Sequence, residues 1–92
     1  MYSDEEMIKM YKKSLKENEE HKQWLQEVLS KVNSEYKQYF RLCFNETKAH
    51  IKLIVAELTS YKNQDFNSRE LEIAWENHSI AINNLSKYLY TY

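Results

Sequence analysis

Residues 66–92 read FNSRELEIAWENHSIAINNLSKYLYTY, and their apolar spacing decides the fold class. Leu71, Ala74, Trp75, His78, Ala81, Ile82, Leu85, Tyr88, Leu89 and Tyr92 recur at intervals of three and four, the repeat of one helix face. The start of that helix is marked just upstream. Asn67 stands at a capping position, Glu70 completes a capping box, and Phe66 with Leu71 fits a hydrophobic staple. The same grammar occurs near the other end, where Ser3 and Glu6 form a second box flanked by Tyr2 and Met7.

Between the two starts, Tyr36, Phe40, Cys43, Thr47, His50, Ile54, Leu58 and Tyr61 again repeat at three and four. Phe44, Ile51 and Val55 widen that stripe into the broad arc required of a helix packed between two neighbours. The first segment offers Met7, Ile8, Tyr11 and Leu15, then Leu25, Val28, Leu29 and Val32, with a wholly polar stretch from Lys16 to Gln23 between them. Val32-Asn33-Ser34-Glu35 reads as a corner, with Asn33 in a left-handed helix-ending position and Ser34 capping the next helix. Residues 59–66 make the second corner. The pattern predicts a single all-α domain over residues 1–92: an antiparallel three-helix bundle with helices at about 4–32, 35–61 and 68–90. An extra break near Asn18 would give a four-helix bundle instead.

The 92 residues include no glycine and no proline, which excludes Gly-rich phosphate loops and disfavours tight hairpins. The corners are left to Asn33, Ser34, Asn63 and Asn67, so the expected object is rod-like, with few sharp turns and no deep loop-built pocket. Thirteen basic residues against fourteen acidic ones speak against a nucleic-acid partner, which calls for a basic stripe and usually a high pI. A lone cysteine, no apolar run long enough to span a bilayer and an acidic N-terminus lead to the expectation of a cytoplasmic protein without membrane contact. Lys outnumbers Arg, Asn and Tyr are abundant, and Ala is scarce; this is the codon bias of an A/T-rich genome.

No arrangement of residues points to catalysis. Glu17/His21 and Glu46/His50 are four apart and could each share a metal, but such pairs are common by chance, and no Glu-x-x-His motif is present. His50 and His78 are therefore read as core or boundary residues with one hydrogen-bond partner each, and Cys43 as a buried structural thiol. The expectation is a non-enzyme with no metal and no cofactor. Lys9, Lys12, Lys13 and Lys16 form a basic stripe, read as a solvated face paired with Glu5, Glu17 and Glu20. A nucleic-acid-binding regulator using this stripe is the least favoured reading.

The informative departure lies on the last helix. Ile73 and Ile80 are seven apart, on the side away from the apolar stripe, where solvent should be. Trp24, Tyr90 and Tyr92 add to an aromatic content of 14%, and Tyr and Trp are favoured anchors of protein interfaces. The chain resembles, in type alone, bacteriocin immunity factors, phage anti-defence proteins and transcription regulators. The expected function is a protein–protein interaction module, a small inhibitor or regulator from a phage or mobile element that occludes a partner protein. Its contacts would be Ile73, Ile80, Trp24, Tyr90 and Tyr92. The alternative makes the same patch a homodimer seam in a structural protein.

Overall fold

The computed structural model describes residues 2–91 and contains three helices: α1 (Asp4–Lys31), α2 (Ser34–Asn63) and α3 (Arg69–Thr91). They form an antiparallel bundle with dimensions of 45 × 23 × 22 Å. Helix α2 packs against both others, while among the described residues no Cα of α1 comes within 8 Å of one in α3. The broad apolar arc of α2 thus serves two neighbours, as its width implied. The core is thin. Leu25 of α1 is 1% exposed, and with Leu53, Ile54 and Leu58 of α2 and Ala74 of α3 it makes up the buried apolar set among the described residues.

A ladder of polar pairs fixes the register of α1 on α2. Asp4 accepts from Gln64 (2.9 Å), Tyr11 donates to Glu57 (2.5 Å), and Asn18 pairs with His50 (3.2 Å). Each step is one heptad up α1 and one heptad down α2, the 3.5-residue repeat of helices that stay in contact along their length. The Tyr11–Glu57 and Asn18–His50 pairs are half-buried, so a slipped register would leave these polar groups partly desolvated and unpaired; the Asp4–Gln64 pair is exposed and adds little to that penalty.

The four-helix alternative is not adopted. Helix α1 runs unbroken through the polar stretch, and Asn18 turns its amide back onto the carbonyl of Ser14 (2.8 Å) and the Ser14 hydroxyl (3.3 Å). The first cap is as read: Ser3 Oγ accepts from the Glu6 amide at 3.2 Å. The second is displaced by one residue. Ser68, not Asn67, accepts from the Leu71 amide (3.2 Å), while Asn67 gives its own amide to Asp65 Oδ1 (3.1 Å). That shift places Leu71 at the third helical position, so Glu70 cannot complete a box. Phe66 sets its ring edge-on to Tyr61 at 4.9 Å.

The corners also differ from the reading. Asn33 is not left-handed; Val32 and Asn33 are both extended, with ψ of 155° and 152°, and Ser34 lies inside α2. Only Gln64 has positive φ among the described residues (53°), and it closes α2 where Asn63 was expected to serve. A non-glycine residue there costs about 1–2 kcal/mol. Its amide offsets this by donating to the Tyr61 carbonyl (2.8 Å) as well as to Asp4.

Candidate functional site

Two features of the bundle could carry chemistry or recognition, and they lie on different sides of the α2–α3 pair. The first is a polar cluster where all three helices contribute. Glu46 and His50 are one turn apart on α2 and share a face. His78 of α3 reaches both: its Nε2 lies 3.0 Å from Glu46 Oε1, and its ring stacks on that of His50 with centroids 4.8 Å apart and planes 10° apart. From α1, the Asn18 carbonyl oxygen meets His50 Nδ1.

The tautomer of His50 follows from the partners of Asn18. Because the Asn18 amide nitrogen is used on Ser14, the oxygen faces His50, and His50 Nδ1 must carry the hydrogen. Burial, followed by the neighbouring His78, holds His50 below the usual imidazole range, with Glu46 and Glu57 acting in the opposite sense. A neutral imidazole with Nδ1 protonated leaves Nε2 with a lone pair. One ligand atom each from Glu46, His50 and His78 lie within 4.8 Å of one another.

Both histidines have the single hydrogen-bond partner expected of boundary residues. What periodicity did not reveal is that they meet. The signal existed, since His50 and His78 are equally distant in sequence from Gln64, the residue at which the chain reverses. Cys43 is half-buried; burial raises its thiol, and a hydrogen bond from Tyr39 opposes that rise.

The second feature is an open groove of about 630 Å³ on the other side of α2 and α3. Its floor is built from small side chains, Ala56, Ser60 and Ala74, and its walls include Val55 and Ile73. Lys52 borders it on α2 and Glu70 on α3. Ile73 is 43% exposed and Ile80, two turns further along the same side of α3, is 56% exposed. Of the two isoleucines singled out by their spacing, Ile73 lines a real depression, while Ile80 is exposed beyond its lining residues.

The other expected contact residues do not join it. Trp24 lies on α1, stacked on His21 at 5.7 Å, and Tyr90 stands 92% exposed near the end of α3. Tyr92 lies outside the described residues. Lys9, Lys12, Lys13 and Lys16 are all exposed, and none is within ion-pair distance of a carboxylate among the described residues, so the stripe is solvated but not paired. No helix is long and apolar enough to cross a membrane. Comparison of the chain with protein families, with curated proteins and with solved structures gives no match in any of the three. The fold defines an all-α three-helix bundle.

Proposed function

We propose that the protein is a non-enzymatic interaction module of the cytoplasm that seats an amphipathic helix of a partner protein in the α2–α3 groove. The carrying observation is the construction of that groove. Small residues at Ala56, Ser60 and Ala74 let a helix backbone approach closely, Val55 and Ile73 offer aliphatic contacts in the groove wall, and the exposed Ile80 continues the apolar surface beyond it. Lys52 on one rim and Glu70 on the other match a helix whose flanks carry opposite charges.

The surface area supports the same reading. A compact monomer of this mass exposes about 5,700 Å², whereas this chain exposes 7011 Å². The excess of roughly 1,300 Å² is larger than the ~800 Å² that each partner contributes to a standard interface. The radius of gyration, 15.1 Å, likewise exceeds the ~12 Å of a compact chain of this length.

By binding there the module would occlude its partner, in the manner of an immunity factor or anti-defence inhibitor from a phage or mobile element with an A/T-rich host. The test compares the wild type with a variant carrying Ile73→Asp and Ile80→Asp. Both are used as bait in the native host, with sedimentation equilibrium on each. The expected result is one host protein retained by a monomeric wild type and lost from an equally helical variant. Equal retention by both would overturn the groove. Concentration-dependent dimers abolished by the variant would overturn the partner and leave a homodimer seam.

A further inference from the structure

We propose that Glu46, His50 and His78 form a site for a divalent transition-metal ion of the zinc class. The site is independent of the docking reading, because none of the three residues lines the groove.

Three observations carry it. First, the donor set is two imidazoles and one carboxylate, which suits zinc and its neighbours and supplies the three protein ligands of an open site, with water completing the fourth position. Second, the ligand atoms already lie close together. An ion with bonds of about 2.0–2.1 Å holds its ligand atoms roughly 3.4 Å apart. The pair Glu46–His78 stands at 3.0 Å, and the whole set lies within 4.8 Å. Closing the remainder takes a rotation of the His50 and His78 rings out of their parallel stack so that their lone pairs point at one centre. All three side chains are half-buried, neither locked in the core nor loose in water.

Third, the outer shell is present before any ion arrives. A ligating histidine typically donates its other ring N–H to a carbonyl or carboxylate, which sets its tautomer and aim. Asn18 does this for His50, and Ser14 holds Asn18 in turn. The ion takes the place of the proton that His78 shares with Glu46. It therefore ties α3 to α2 at a point where α1 supplies the orienting group.

The experiment is titration of the tag-free chain with Co²⁺, followed by its visible absorption, and displacement of the cobalt by Zn²⁺. The expected result is one ion per chain with the intense bands of tetrahedral cobalt, lost on adding zinc. His78→Gln and Glu46→Gln should each weaken binding at least tenfold while the far-ultraviolet circular dichroism stays helical. Asn18→Ala should weaken it by about 10–100-fold, as loss of an outer-shell partner does, and Asn18→Asp should restore it. His21→Ala, which removes the other Glu/His pair, should change nothing. No uptake of either ion from a several-fold molar excess would overturn the site. Uptake that survives His78→Gln, or that falls with His21→Ala, would also overturn it.

Discussion

Removing one hydroxyl should expose how strongly the polar ladder holds α1. Tyr11 donates to the Glu57 carboxylate at 2.5 Å, and its ring tilts against Tyr61 at 5.5 Å. Tyr11→Phe keeps the ring contact and deletes only the donor. A hydrogen bond to a charged group contributes about 1.5–3 kcal/mol, and both residues here are half-buried. Water can reach part of the carboxylate, so the expected loss is about 1–2 kcal/mol. For a domain of this size that lowers Tm by roughly 5–15 °C. The assay is urea denaturation followed by circular dichroism, run as a cycle with Glu57→Leu and the double variant. Because an orphaned carboxylate costs more than an absent pair, the double variant should be more stable than Tyr11→Phe alone.

The same pair has a pH signature. Burial and the Glu57 carboxylate hold the Tyr11 phenol above its ordinary value near 10. The folded chain keeps a proton that the unfolded chain releases. The stabilisation is therefore complete below about pH 10 and fades as the pH rises from there through the folded-state value. Wild type should lose stability across that window more steeply than Tyr11→Phe. A loss below about 0.3 kcal/mol for Tyr11→Phe, or a double variant less stable than both single variants, would refute the ladder as a source of register and stability.

The remaining predictions are simpler. Leu25→Ala deletes the one fully buried side chain of α1 and should cost about 3 kcal/mol by urea denaturation; a loss under about 1 kcal/mol would mean that α1 is not anchored there. Ser68→Ala should destabilise by about 1 kcal/mol, and Asn67→Ala by only a few tenths, because Ser68 is the residue that caps α3. Ala56→Trp fills the groove floor from its open side and should abolish partner retention with unfolding stability within about 1 kcal/mol of wild type.

Much of the fold was legible because helix specification is local. The three- and four-residue spacing of Leu71, Ala74, His78, Ala81 and Leu85 required nothing beyond the residues themselves, and Ser3 caps α1 as its sequence implies. Where two neighbouring residues could both cap, local chemistry did not choose. Asn67 and Ser68 are both competent; Ser68 caps through its hydroxyl, and the Asn67 backbone N–H is held one residue outside the helix by Asp65. The left-handed residue was likewise misplaced. A helix ends where packing stops supporting it, and Gln64 carries the strain because its long amide reaches both Tyr61 and Asp4.

The candidate sites were legible in proportion to how local they are. Ile73 and Ile80 announced themselves by facing away from their own helix's stripe. The groove floor did not, since small residues such as Ala56 and Ser60 carry no signal until a second helix lies beside them. Glu46 with His50 was visible as a pair within one helix, whereas His78 and Asn18 join it only through the antiparallel register of three helices.

The most direct test of the account is photo-crosslinking from position 73. A benzophenone amino acid replaces Ile73 in the groove wall, and a control chain carries it at Ser79, an exposed position of α3 that does not line the groove. The account predicts that position 73 crosslinks to an apolar helical segment of one host protein and that position 79 does not. Crosslinking of position 73 only into a second copy of this chain, or equal crosslinking from both positions, would contradict it.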